Sequence, residues 1–231
     1  ILSALLVGFF SHTDPNAFNI YEIADYAPPS WAHWFGTDDL GRDLLIRSLY
    51  GARISLLVGT ISVTISVLIG IAVGLISGYF SGWVDGLCMR VVDIFMAIPT
   101  LFLLLTIQVM IKPSIWNVMI VIGLTSWMGM ARMVRAEVKS VKERPFILAA
   151  RSRGIPTRTL LLKHILPHTL SPVIVAAMLG VGDAILTESM LCFLGLGVQP
   201  PHASWGNMLD NSLSYMRMAP WMAIFPGLLI T

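Results

Sequence analysis

Charge is what this sequence most lacks. Only 12% of its 231 residues are Asp, Glu, Lys or Arg, while 56% are hydrophobic, against roughly 25% charged in an ordinary soluble domain. A soluble core does not account for that imbalance, because four stretches hold no such charge at all: Ile54 to Val84, Ile94 to Ile111, Pro113 to Ala131 and Ile165 to Gly182. Each reaches the ~18 to 20 residues that a helix needs to cross a hydrocarbon core. Cysteine is nearly as scarce. Cys88 and Cys192 supply neither a disulfide framework nor a metal-ligand spacing and read as packing residues. The sequence has no Gly-x-x-x-x-Gly-Lys-Ser/Thr phosphate loop and no His-Glu-x-x-His, so it lacks the usual motifs for ATP binding and for zinc-dependent hydrolysis. A net charge of +2 gives no global basic field, and nucleic acid is not expected as a partner. These absences leave an all-α, polytopic membrane protein that is not an enzyme and holds no metal or cofactor of its own.

The few charges are unevenly placed, and their placement predicts orientation. Nine of the fifteen Lys and Arg lie between Arg132 and Lys163, beside only Glu137 and Glu143, so that segment is read as cytoplasmic by the positive-inside rule. Ser11 to Arg53 carries six acids (Asp14, Glu22, Asp25, Asp38, Asp39, Asp43) and three arginines, which suits the external face. The expected layout is a first helix ending near Phe10, an external stretch to Arg53 and a second helix from Ile54 to about Tyr79. An internal turn over Gly82 to Arg90 then leads to a third helix ending near Lys112, and a fourth runs from Ile115 to about Met133. A cytoplasmic loop over about 136–163 follows, then a fifth helix from Leu166 to Leu191, an external segment Gly195 to Ala219, and a sixth helix from Trp221. Ile1 to Phe10 and Met218 to Thr231 are each too short to span and are expected to belong to longer helices, giving about six spans. Residues 1–53 thus hold a helix end and an external segment, and 54–231 the transmembrane core.

Several residues invite a closer reading. Gly70, Gly74, Gly78 and Gly82 recur every four positions and form a stripe that another helix can approach, within this chain or in a partner. Pro99, Pro167, Pro172 and Pro226 mark bends. Asp183 and Glu188 lie deep in an apolar stretch, where a charge costs at least ~2.5 to 3.5 kcal/mol. About 140° apart on a helix, they either pair with or cap other protein groups, or line a water-filled path. Asp93 and Arg90 read as interface charges. His164 and His168 share a helical face, but metal binding there is a minority reading, as it is for His12, His33 and His202 towards the outside. Thr37 or Asp38 is expected to cap a short external helix, with Arg42 offsetting the acids.

The basic loop is the informative segment. Helix formers from Glu137 to Arg153, interrupted by Pro145, end at Gly154-Ile155-Pro156. Glycine suits the left-handed position after a helix, and a residue before proline is driven towards extended geometry. Thr157 is then expected to cap a second short helix through Leu162. Phe146, Ile147, Ala149 and Ala150 form an apolar patch on a basic element, suited to docking on another protein.

Here the sequence resembles a family, the permease subunits of binding-protein-dependent ATP-binding-cassette importers. Their loop carries Glu-Ala-Ala, three residues, Gly, nine residues and Ile-x-Leu-Pro. This chain has Leu148-Ala149-Ala150, three residues, Gly154, nine residues and His164-Ile165-Leu166-Pro167, with Leu148 and His164 departing from the pattern. Gly36-Thr37-Asp38-Asp39-Leu40-Gly41-Arg42-Asp43, Tyr50-Gly51-Ala52-Arg53, Phe193-Leu194-Gly195-Leu196-Gly197 and Ser204-Trp205-Gly206 look like the second permease of the dipeptide, oligopeptide and nickel branch. The resemblance implies a type I importer permease fold in a bacterial or archaeal cytoplasmic membrane. It also implies a homologous second permease, two ATPase subunits that hold ATP and Mg, and an external substrate-binding protein. Short peptides are the implied cargo, with nickel or a nickel chelate as the alternative. Phe146, Ile147, Leu148, Ala149, Ala150, Arg151, Gly154, Pro156 and Arg158 would form the ATPase-coupling loop, and Asp183 and Glu188 are the candidate path residues. An ion-gradient-driven transporter has no reason to carry such a loop, and an intramembrane enzyme would need an activated nucleophile that is not recognisable here.

Overall fold

The computed structural model describes residues 26–199 and 201–230. The first helix expected near Phe10, and His12, Asp14, Glu22 and Asp25, lie outside the described residues. The described chain is helical throughout its regular structure: α1 (Leu44–Phe80), α2 (Gly82–Ala97), α3 (Thr100–Met110), α4 (Ile115–Lys142), α5 (Pro145–Ser152), α6 (Thr157–Phe193), α7 (Trp205–Leu213) and α8 (Trp221–Ile230). Helices α1, α4 and α6 are each long and apolar enough to cross a membrane, and α2 with α3 passes the same test as a pair bent by 82°. The bend sits at Ile98-Pro99, where proline removes a backbone donor.

The boundaries differ from expectation in ways with local causes. Helix α1 begins at Leu44, ten residues before the expected start, because Asp43 caps it: its Oδ1 accepts from the Ile46 amide at 3.0 Å. Residues 44–53 are therefore a helical continuation of the span. No short helix is capped by Thr37 or Asp38. Asp38 instead closes a tight turn, its Oδ1 accepting from the Leu40 and Arg42 amides, both at 2.9 Å, and its Oδ2 from Arg42 Nε at 2.7 Å. The expected turn over Gly82 to Arg90 is helix. The chain reverses at Ser81 and Gly82, with φ of 53° and 59°. Helix α4 runs nine residues past Met133, so 136–142, the start of the basic segment, is its continuation.

The chain divides into two compact units. In the one built on residues 61–107 and 120–181, α1 and α4 lie backbone to backbone. A Cβ on Gly70 would fall 2.5 Å from Met130 Cγ, one on Gly74 2.6 Å from Val134 Cβ, and one on Gly78 2.7 Å from Val138 Cβ. Both helices advance by four residues per contact in the same direction, so they run parallel. The α2–α3 pair between them must return the chain across the membrane, and counts as one span. Gly123, which does not stand out in the sequence, extends the seam against Ile65 and Ser62. Gly82 does not: it lies past the end of α1, and a Cβ there would meet nothing within 4 Å. Beside the seam, Leu75, Val134, Val138 and Val141 join Leu160, Ile165 and Val173 in one buried cluster.

In the other unit, Leu44, Ala203, Met208, Ala219 and Met222 form the core, with Phe35 stacked on Phe225 at 4.0 Å between ring centroids. His33 is occupied by Asp43, Nδ1 to Oδ2 at 2.8 Å.

Close packing along the α1–α4 seam predicts a position-specific response to one methyl group. Gly74→Ala forces the helices apart and should destabilise the protein by about 1–3 kcal/mol. Gly129→Ala, on the same α4 but with nothing within 4 Å, should be neutral or slightly stabilising through helix propensity. Thermal unfolding in detergent distinguishes the two, and equal midpoints would refute the seam.

Candidate coupling site

The segment after α4 is built around two devices. Pro145 occupies the first position of α5, where its missing donor costs nothing, and Arg144 before it is extended (φ −69°, ψ 143°). At the other end Gly154 takes φ +73°. Its amide donates to Arg151 O at 3.0 Å and the Ile155 amide donates to Ala150 O at 3.4 Å, the paired bonds of a Schellman turn. Ile155 packs against the buried cluster, completing it with a hydrophobic contact. The left-handed glycine expected from the sequence is thus present, and the direction of the chain into α6 follows from it.

The next element differs from expectation. Thr157 does not cap it: Pro156 is the N-cap, and there is no side-chain capping bond. Nor is it a separate short helix. It continues through one π-helical stretch, Leu160–Ile165, into α6. The register shift falls just before Pro167, where a regular helix would need a donor that proline lacks. The site is therefore one short helix and the first turns of a 37-residue span.

Burial divides the candidate docking residues. Ile147 is 1% and Ala150 9% exposed, both within the cluster of Val138, Val141, Leu160 and Ile165. They hold α5 down, and do not belong to the exposed patch expected from their residue types. Phe146, Leu148, Ala149 and Arg151 face out, with Pro156 and Arg158 exposed beyond the Gly154 turn. The Phe146 ring lies 5.0 Å from that of His168, so His168 sits on the loop's own aromatic.

Charge divides the segment again. Arg132, Arg135, Lys139 and Lys142 fall at helical spacing on one side of α4 and each finds a polar partner within the chain. Asp85 accepts from Arg135 Nε at 2.5 Å and Nη2 at 2.7 Å, and from Lys139 Nζ at 2.6 Å. Arg132 pairs with Asp93, and Lys142 Nζ donates to Gly78 O at 3.1 Å and Ser81 Oγ at 2.5 Å, capping the end of α1. The later cations, Arg144, Arg151, Arg153, Arg158 and Lys163, stand exposed and make no ion pair among the described residues. The Asp85 and Asp93 partners are eight residues apart and match the stripe on α4. That spacing is the signal the sequence offers for the pairing, and only its Asp93 end reads as an interface charge without the structure.

The two intramembrane carboxylates have different settings. Glu188 is fully buried, its Oε1 accepting from Ser204 Oγ at 2.7 Å and Cys192 Sγ at 3.0 Å. Ser204 itself caps α7 in a reciprocal box with Asn207. Trp205 Nε1 donates to Ser48 O at 2.9 Å, and a Cβ on Gly206 would meet Ser189 Cα at 2.7 Å. Each residue of Ser204-Trp205-Gly206 thus has a separate task in seating α7. Asp183 is exposed, on a face of α6 that otherwise presents Val175, Met178, Leu179, Leu186 and Met190.

Residues 70–231 match the family described as the inner membrane component of binding-protein-dependent transport systems. The oligopeptide transport system permease protein OppC of Bacillus subtilis is 40% identical over 227 residues, covering 98% of this chain and 74% of that protein. The dipeptide transport system permease protein DppC of Alkalihalophilus pseudofirmus is 45% identical over 199 residues, covering 86% and 66%. This chain belongs to the family. The same fold occurs in a chain of the inward-facing MetNI methionine ABC transporter, with a TM-score of 0.62, 19% identity, and coverage of 81% of this chain and 89% of that one. The protein is accordingly a non-catalytic permease subunit of an ABC importer, a multi-pass membrane component that works with other subunits. In this permease the spacing from Ala149 to Gly154 sets the Schellman turn that closes α5.

Two substitutions separate the turn from the core. Gly154→Asn should be tolerated, since Asn adopts left-handed geometry, whereas Gly154→Val should cost about 1–2 kcal/mol through backbone conformation alone, because no atom lies within 4 Å. Ala150→Asp buries an unpartnered carboxylate and should lower the yield of folded permease, so it tests the core and not docking. Thermal stability of purified permease checks the order Asn, Val, Asp from mildest to most severe; equal stability of the Asn and Val variants would contradict the turn.

Proposed function

We propose that this permease, paired with a homologous membrane subunit in a bacterial or archaeal cytoplasmic membrane, forms the path for short peptides delivered by an external binding protein. In this reading α5 docks on one of two ATPase subunits, which hold ATP and Mg. Peptide cargo is supported by the names of the dipeptide and oligopeptide permeases to which the chain is similar. The observation that carries the mechanism is the division of α5: Ile147 and Ala150 are locked into the permease while Phe146, Leu148, Ala149 and Arg151 remain outside. A short helix held rigidly from beneath, with apolar side chains and a guanidinium outward, can transmit displacement without deforming.

Glu188 already has partners in Ser204 and Cys192, and its role in this reading is to seat α7. Asp183 is the path candidate, because an exposed carboxylate within a spanning helix must face water or another subunit.

Phe146→Asp and Leu148→Asp should leave the permease folded and paired with its membrane partner but reduce ATPase copurification about tenfold, the loss of roughly 1.4 kcal/mol of binding. Uptake of a labelled dipeptide should fall in parallel, and normal uptake in both variants would remove α5 from coupling. Asp183→Asn should reduce uptake with little change in thermal stability, whereas Glu188→Ala should lower thermal stability first. Titrating the external binding protein with dipeptides and with nickel decides the cargo; binding of nickel without peptide would overturn the peptide reading.

A further inference from the structure

The unit built on residues 61–107 and 120–181 has an apolar groove beside the seam, and the cavity adjoining its basic end shares Leu148 and Arg151 with the outward face of α5. It lies between the end of α1 and the start of α6, encloses about 330 Å³, and is walled by Ala72, Leu75, Ile76, Phe80, Leu161 and Leu162. The groove ends at Thr157 and Arg158. Phe80 and Thr157 also line an adjoining cavity of about 450 Å³ that contains Lys142, Arg151 and Glu143. Ala72, Ile76, Phe80 and Leu162 are exposed, on two helices long and apolar enough to span a membrane. Hydrocarbon therefore runs along the groove and cations collect at one end.

Those cations are available. Arg151 and Arg158 make no ion pair among the described residues, and Lys142 spends two of its three donors on Gly78 O and Ser81 Oγ. Three cations against the one carboxylate of Glu143 leave that end positive. It is the end at which the loop emerges, on the side that positive residues assign to the cytoplasm.

We propose that this groove binds an anionic phospholipid of the cytoplasmic leaflet. One acyl chain lies along Ala72, Ile76 and Leu161, and the headgroup phosphate meets Arg158 and the cavity beside it. Basic pockets between spanning helices on that side suit such headgroups, and a chain seated there cannot slip free while its phosphate is held. The inference rests on membrane embedding and not on the nature of the cargo.

The test is lipid retention by the assembled importer, purified in detergent and measured by native mass spectrometry after exchange into mixed phosphatidylglycerol and phosphatidylcholine. The wild type should retain phosphatidylglycerol over phosphatidylcholine. Arg158→Gln should lower that retention about fivefold, and Ala72→Trp, which fills the groove without touching a charge, should lower retention of both lipids. Equal retention of the two lipids by the wild type, or phosphatidylglycerol retention unchanged in Arg158→Gln, would overturn the proposal. So would loss of ATPase from Arg158→Gln with lipid retention intact, because Arg158 would then serve the docking partner. Peptide uptake does not enter the measurement, so a wrong cargo leaves its result unaffected.

Discussion

Everything around α5 of this permease depends on how closely α1 can approach α4. Gly70, Gly74 and Gly78 bring one backbone against Met130, Val134 and Val138 of the other, an approach that small residues permit in a medium where apolar surface alone provides little drive for helices to associate. The contact has electrostatic fasteners at its end. Lys142 satisfies the Gly78 carbonyl near the end of α1 and the Ser81 hydroxyl just beyond it, and Asp85 holds Arg135 and Lys139. Val138 is shared: it meets Gly78 on one side and belongs to the cluster beneath Ile147 on the other. The floor beneath α5 is therefore the same packing that joins the two spans.

This arrangement explains why the loop can be both short and stiff. Proline opens α5, a left-handed glycine closes it, and two buried side chains, Ile147 and Ala150, fix its inward face. Leu148 stands where the family pattern has Glu, and it is outward and half exposed. An aliphatic chain in place of that carboxylate changes the outward face and leaves the seating of the helix intact, because seating uses Ile147 and Ala150.

Much of this is legible from residue type and spacing. The glycine stripe, the Gly154 turn, Pro99 as a bend and Trp221 as a helix start all rest on local stereochemistry, which one sequence carries in full. The misreadings have a shared origin. Helix ends at Leu44 and Lys142 depend on a cap and on charge pairs with residues 50 or more positions away, whereas hydropathy alone ends each helix with its apolar stretch. The inward turn of Ala150 escapes a sequence reading because small residues look alike whether they are exposed for a partner or buried for close packing. Glu188 and Asp183 are inseparable by composition, and separable only when Ser204 arrives from sixteen residues away.

The central claim is that α5 moves as one body with α4 because they share a packed floor. Spin labels at the exposed Ser140 of α4 and Ser152 of α5 measure that directly by pulsed electron resonance in the assembled importer. One narrow distance, unchanged between nucleotide-free and ATP-bound states, is the predicted result. A distance that shifts or broadens with nucleotide would show α5 swinging on its own and would contradict the account.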